Sequence, residues 1–565
     1  MRLNPRSANV LLARAEDQFI QGAETCALAA VQYPGHLALR GYERLEEFQT
    51  NPPRWVYQCG EARLEKGLLL FPGLPAVGLR YVSSHAGALR LRPFFANRGY
   101  HALQHVDPGF RCPLEAHPPP GARFTPSEHW YRDHEYVIER ERGLDFLEAL
   151  WTPGFHEIAL RPGEPLWFVW QLAGAPPPDP EAAWQERLRR AWHPATDFLA
   201  RRASGAWTLM AGYPWFTDWG RDTLISLPGL LLGDRPLREQ ARSILESYAA
   251  ARAHGLVPNR FPDEGETPEY NSADATLWWF VASHHYLMHG PDPDFLRGVF
   301  IPAAADILDC LWRGTLFSIG VDPRDGLLAA GDETTQLTWM DARVHGLPVT
   351  PRHGKAVELN ALYYNALRLT ARWAREAGAH ELAEKTFLRA ARFRARFAEA
   401  FWSPAHGWLR DTAASAELRP NQILAVSLPY SPLDEPLQKA VVRAVYQSLY
   451  TPYGLRTLAP NEPNYRGRYG GTVEERDSAY HQGTVWPWLL GHLIEAMLKA
   501  FGRSSERLAW ARDALEPLRR HRDGEGCLGS IAEIFDGDPP HRWNGAPAQA
   551  WSVAEYERAL RLVSQ

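Results

Sequence analysis

The period of the hydrophobic pattern changes once along this chain, near residue 180, and no other feature constrains the fold as tightly. Before that point, Leu68-Leu69-Leu70-Phe71, Leu89-Arg90-Leu91-Arg92 and Leu166-Trp167-Phe168-Val169-Trp170 are short apolar or alternating runs separated by Gly and Pro. Strands have this pattern, and an antiparallel β-sandwich is its natural packing. Beyond it, Leu237, Ala241, Ile244, Leu245 and Tyr248 recur at helical spacing. The same holds for Leu359, Leu362, Tyr363, Ala366, Thr370 and Trp373, and for Leu490, Leu493, Ile494, Met497, Leu498 and Phe501. Between the two regimes, Ala173-Gly174-Ala175-Pro176-Pro177-Pro178-Asp179-Pro180 can neither continue a strand nor start a helix early, so it reads as a linker. The predicted organisation is a β-sandwich domain over 1–175, a linker and first helix over 176–190, and a mainly helical domain over 191–565. Roughly six helical hairpins fit into that last part, and without an exact repeat they favour a toroid of paired helices over a regular solenoid.

Length and composition narrow the function. At 565 residues the chain is too long for one core, which agrees with two domains. Lys and Arg number 61 against 66 Asp and Glu, a net charge of -5 with no block of like charge, so a nucleic-acid partner has little electrostatic support. Neither a long uncharged apolar stretch nor a secretory signal is visible, so no membrane partner is expected. The five cysteines are dispersed and odd in number, which predicts no disulfide framework and no cysteine zinc site, and with them a cytoplasmic location. Nothing in the sequence fixes an oligomeric state. Aromatic residues are 12% of the chain, and most of the 22 Trp lie in the helical part. There they are either core or flat walls for a ligand with apolar faces and polar edges, such as a sugar ring.

The polar loops between the helices carry the chemistry. Ala211-Gly212-Tyr213-Pro214-Trp215-Phe216-Thr217-Asp218-Trp219-Gly220-Arg221-Asp222 joins aromatics to an Arg-Asp pair able to grip neighbouring hydroxyls. Asp341 follows Trp339 and Met340, with Lys355 and Glu358 close behind, and Glu533 stands among apolar residues in Ser530-Ile531-Ala532-Glu533-Ile534-Phe535. Taken singly, each acid is better explained by a surface or salt-bridged carboxylate. Together, two carboxylates from distant loops, aromatic walls and a polar clamp match what glycoside hydrolysis requires. The signatures of phosphate-binding loops, serine hydrolases and zinc proteases are missing.

At these loops the sequence resembles the amylo-alpha-1,6-glucosidase family. AGYPWFTDWGRD (211–222), GLVPNRFPDEGETPEYNSADATLWW (255–279), QLTWMDARVHG (336–346), YHQGTVWPW (480–488) and GSIAEIFDG (529–537) carry the resemblance. It implies an (α/α)6 toroid and an inverting single displacement with Asp341 as general acid and Glu533 as general base. It further implies that Arg221 and Asp222 hold the terminal glucose and that Trp215, Trp219, Trp339 and Trp486 wall the site. Asp274, Lys355, Glu358 and His481 become polar contacts, and no metal or organic cofactor is implied. The expected partner is glycogen or a branched dextrin. Residues 11–105 are similar to the family's β-rich N-terminal domain, but the chain begins after its usual W-L-x-T-N-G-x-G-G and R-x-Y-H-G-L-L segments, so either that domain lacks an edge or the start codon is misplaced. A toroid acting on trehalose or a glucosylated metabolite, and a noncatalytic glucan-binding protein, are the competing readings.

Overall fold

The computed structural model describes residues 9–71, 74–172, 179–189, 193–202, 204–233, 236–262 and 267–564. Contacts divide the chain into Met1–His193 and Pro194–Gln565. The Ala173–Pro178 part of the expected linker lies outside the described residues. Helix Pro180–Arg189 belongs to the first unit, where buried Trp184 packs edge-on against Trp167.

Eleven strands of the first unit form its two main sheets. They are β1 (Asn9–Gln21), β2 (Glu24–Ala27), β3 (Leu45–Thr50), β4 (Pro53–Cys59), β5 (Ala62–Leu70), β6 (Ala76–Ser83), β7 (Gly87–Gly99), β8 (Leu114–His117), β9 (Arg123–Glu135), β10 (Leu147–Leu160) and β11 (Leu166–Leu172). One sheet runs β9-β10-β7-β1-β2 and the other β8-β11-β6-β5-β4-β3, with antiparallel pairing throughout. Phe19, Leu89, Leu91 and Phe95 of the first sheet share one core with Tyr57, Leu64, Leu79, Tyr81 and Phe168 of the second. The alternation in Leu89-Arg90-Leu91-Arg92 explains this: one face enters the core while Arg90 reaches outward to Glu157.

Cysteine usage misled the sequence reading. Cys26 of β2 and Cys59 of β4 form a disulfide joining the two sheets, with a Cα–Cα separation of 5.8 Å across 33 positions of sequence. Linear spacing carries no information on which strands face each other across a core, so the pair was hidden. The argument from cysteines for a reducing compartment is thereby removed.

The second unit is helical. Its long helices are α1 (Gly220–Leu231), α2 (Arg238–Ala250), α3 (Asp274–Met288), α4 (Ile301–Arg313), α5 (Val357–Ala377), α6 (His380–Phe401), α8 (Glu435–Leu449), α9 (Trp488–Phe501), α10 (Ser505–Gly524) and α11 (Ala550–Ser564); the single turn α7 (Leu424–Ser427) continues a 3-10 turn. Odd-numbered helices touch in a closed cycle, α1 to α3 to α5 to α7 to α9 to α11 and back to α1. The long even-numbered helices alternate with them in sequence, and their buried residues recur on one stripe. Ala241, Ile244, Leu245 and Tyr248 of α2 are an example. Inner helices are buried nearly all round: in α3 everything from Asp274 to Leu287 except His285 is buried. Because inner helices alternate with outer ones, every inner helix begins at the same end of the ring. No helix among the described residues is long and apolar enough to cross a membrane.

The disulfide gives the fold a direct chemical test. Denatured but unreduced protein, purified without reductant, should titrate three thiols (Cys112, Cys310 and Cys527), with two more appearing only after reduction. Five thiols before reduction would contradict the bond.

Candidate active site

The site is built on the N-terminal ends of the inner helices. Trp219 is extended at φ -99° and caps α1, so Arg221 and Asp222 fall in the first turn of that helix. Arg221 is 3% exposed. Its Nε donates to Asp274 Oδ2 at 2.8 Å and its Nη1 to Asp341 Oδ2 at 3.1 Å. Asp274 is the first residue of α3, and its other oxygen accepts from Ser272 Oγ at 2.6 Å. One guanidinium thus joins the starts of two inner helices to the loop of the expected acid. Although burial works against its charge, the carboxylates of Asp274 and Asp341 win and hold Arg221 above its ordinary pKa.

Asp341 has 37% of its side-chain surface open. Loss of water nevertheless dominates at its carboxyl and raises the pKa above the ordinary value, against the opposing pull of Arg221. Oδ2 accepts from Arg221, and Oδ1 is the oxygen that this guanidinium does not engage.

Glu533 is only 3% exposed and held from two sides. Tyr480 donates its hydroxyl to Oε1, and the backbone N–H of Ala546 donates to Oε2 at 2.8 Å. Gly545 permits the second bond. It adopts φ +69°, and a Cβ there would collide with the Glu533 carboxylate, so only glycine fits beside this acid. A small sheet aligns the segments: β12 (Tyr450–Thr451), β13 (Gly454–Arg456), β14 (Val485–Trp486), β15 (Ile534–Phe535) and β16 (Trp543–Asn544) pair in that order. Val485 opposite Phe535 places the Tyr480 loop beside the Glu533 loop.

Asp222 reports on both acids. It is 7% exposed and accepts from Gln549 Nε2 at 2.9 Å, Gln549 lying just ahead of α11. Burial, opposed by Arg221 and helped by smaller effects of Glu533 and Asp341, raises its carboxyl to about 7. Tyr480 likewise feels both charges, after the larger effect of its own burial. Asp341 and Glu533, 192 positions apart, therefore act on the same two neighbours.

Comparison with known proteins agrees with this geometry. Residues 193–558 match the amylo-alpha-1,6-glucosidase family, and residues 2–167 match the family described as glycogen debranching enzyme N terminal. The chain belongs to the amylo-alpha-1,6-glucosidase family. The glycogen debranching enzyme of Saccharomyces cerevisiae is 27% identical over 456 residues, covering 61% of this chain but 30% of the yeast protein. This chain thus matches less than a third of that relative's length. A crystal structure of a bacterial glucoamylase complexed with acarbose aligns with 99% of this chain and 89% of its own at a TM-score of 0.58 and 11% identity, a likeness of fold. Membership makes this amylo-alpha-1,6-glucosidase family chain a glycoside hydrolase.

Not every residue singled out from the sequence lies where expected. Trp215 and Trp219 are half-buried in the 211–222 loop, and Arg260 stands 5.7 Å from the Trp219 ring centre. Trp339 and Trp486 are 3% and 1% exposed, so they back the site instead of walling it. Their rings stack edge-on at 5.2 Å, with fully buried His481 lying flat on Trp486. Burial pushes the His481 pKa well below its ordinary value and keeps the ring neutral. Lys355 is engaged by Asp322 at 2.8 Å and Asp325 at 2.5 Å. Glu358, in the first turn of α5, pairs with buried Arg352. Lys355 and Glu358 are therefore structural ion pairs, because their charges are satisfied inside the protein. Tyr480 and Gln549 were missed as site residues: the first was quoted only as part of a motif, and a tyrosine or glutamine has no sequence signature of its own.

The raised Asp222 carboxyl has a stability consequence with a definite sign. The native state keeps this proton to about pH 7, whereas an unfolded aspartate loses it near pH 4, so its contribution is full below about pH 4 and is lost as pH rises through 7. Asp222→Asn, which keeps the oxygen that accepts from Gln549, should match the parent at pH 4 and exceed it at pH 8 by about 4 kcal/mol in denaturant unfolding. Equal stability at both pH values, or loss at pH 8, would contradict the assignment.

Proposed function

We propose that the chain is an exo-acting, inverting α-glucosidase that removes α-1,6-linked glucosyl stubs from glycogen or a branched dextrin. Asp341 is the general acid and Glu533 the general base. The observation that carries this reading is geometric: Arg221 donates to Asp341, its neighbour Asp222 accepts from Gln549, and the Gln549 backbone N–H donates to the carbonyl of Ile531, two residues before Glu533. Hydrogen bonds thus tie the loops of both carboxylates to the first turn of α1, as a single displacement at one sugar needs.

In the reaction, Asp341 gives its Oδ1 proton to the glycosidic oxygen as the C1–O bond breaks. A water on the opposite face attacks C1 and loses its proton to Glu533. β-Glucose and the free 6-hydroxyl of the acceptor leave, with one proton moved from acid to base overall. Inversion requires room for that water, a carboxyl separation of roughly 6.5–9.5 Å. Tyr480 and the Ala546 N–H fix the orientation of the Glu533 carboxylate, while Arg221 holds Oδ2 of Asp341. Arg221 and Asp222 belong to the clamp for the terminal glucose. Acid-base chemistry on this pair calls for no cofactor, and the partner is the polysaccharide itself. An acid that must be protonated needs a raised pKa, and Asp341 has one.

Asp341→Asn and Glu533→Gln should each lower kcat by about 10²- to 10⁴-fold on a 6-α-glucosyl limit dextrin with the fold intact, the ordinary range for removing acid-base help. Background activity in the parent and both variants, with glucan binding retained, would leave a glucan-binding protein without this chemistry. Proton NMR of the first product should show β-glucose, and α-glucose would contradict inversion. Faster hydrolysis of trehalose or glucosylglycerate than of the dextrin would transfer the same machinery to a small glucoside.

A further inference from the structure

The three residues immediately before Asp341 are each anchored to one buried cluster that makes no direct contact with the acid. Thr338, Trp339 and Met340 are 3%, 3% and 0% exposed. Arg352 Nη1 donates to Thr338 Oγ1 at 3.2 Å, and Trp339 Nε1 donates to Asn421 Oδ1 at 2.7 Å. Asn421 Nδ2 in turn donates to Asp411 Oδ1 at 2.7 Å and lies 3.5 Å from Met340 Sδ. Asp411 is gripped by Arg352, at 2.6 Å from Nε to Oδ2 and 3.1 Å from Nη2 to Oδ1. The Asn421 amide has no freedom to flip: one end must accept from an indole and the other must donate to a carboxylate. Behind Trp339, Trp486 and Trp488 meet its ring edge-on at 5.2 and 5.3 Å, so the indole cannot slide.

We infer that Asn421, held by Asp411 and Arg352, is a positioning residue for Asp341: it fixes the register of the Thr338–Met340 strap so that the acid's free oxygen points at the glycosidic bond. This inference rests on the acid role proposed for Asp341. A group that only places the acid should matter in proportion to how much the leaving group needs a proton. Departure of a sugar alkoxide needs one, whereas α-glucosyl fluoride releases fluoride with little help and still depends on Glu533 to activate water.

The test compares two near-isosteric variants, Asn421→Leu and Thr338→Val, with Asp341→Asn and the parent on both substrates. In each positioning variant, kcat on the 6-α-glucosyl dextrin should fall at least tenfold while kcat on α-glucosyl fluoride stays within about threefold, since acid catalysis contributes about 10²- to 10⁴-fold. Asp341→Asn should show the same split, more strongly. If the variants lose both substrates together, or neither, while Asp341→Asn shows the split, the positioning role is wrong and the acid assignment stands. If Asp341→Asn shows no split, the acid assignment fails and takes the inference with it. Thr338→Val decides the matter should Asn421→Leu not fold.

Discussion

A buried guanidinium organises this site. Arg221 sits in the first turn of α1 with almost no exposure, and a charge so placed is stable only if carboxylates meet it with good geometry. Asp274 and Asp341 do so from two other segments, so the ion pairs determine where the loop bearing the acid must lie. Removing Arg221 would leave Asp274 an uncompensated charge in the interior, which is far more costly than losing a surface pair, whereas removing the charge of Asp341 leaves the Arg221–Asp274 pair in place. The same geometry sets the chemistry of Asp341. Arg221 lowers its pKa and loss of water raises it, and the second effect prevails, which is the direction a general acid requires.

The ring explains why such a cluster forms at one end. Asp222, Asp274 and Glu358 occupy first turns of three successive inner helices, α1, α3 and α5. Unpaired backbone N–H groups at a helix start favour negative charge, so an end where inner helices begin suits buried carboxylates. Each such carboxylate then finds a specific partner: Gln549 for Asp222, Arg221 for Asp274 and Arg352 for Glu358. The first is paired by a neutral amide; burial raises both Asp222, to about 7, and Glu358, above its ordinary value.

Much of this was legible before any coordinates. Apolar periodicity located α2, α5 and α9, and the alternating runs located β5, β7 and β11, because burial of one face leaves a direct imprint on sequence. Arg221, Asp222, Asp341 and Glu533 stood out only in conjunction and through the family resemblance, because a single carboxylate is better explained as a surface or salt-bridged group. Contacts between distant segments were not. The Cys26–Cys59 bond, the hydroxyl of Tyr480 on Glu533 and the Asn421 bridge all depend on which loops meet in space. Tryptophan gave a mixed signal for a physical reason: Trp339 and Trp486 serve the site by filling the space behind it, and their composition is the same as that of a sugar platform.

The account depends most on a single sugar ring being addressed by two side chains from loops 192 positions apart. A crystal structure of the Glu533→Gln variant with a bound α-1,6-linked glucosyl oligosaccharide measures this directly. The anomeric carbon should lie between the carboxyl of Asp341 and the side chain at position 533, about 6.5–9.5 Å apart, with Arg221 and Asp222 at the terminal ring. A sugar bound away from either position, or the two side chains facing separate spaces, would contradict it.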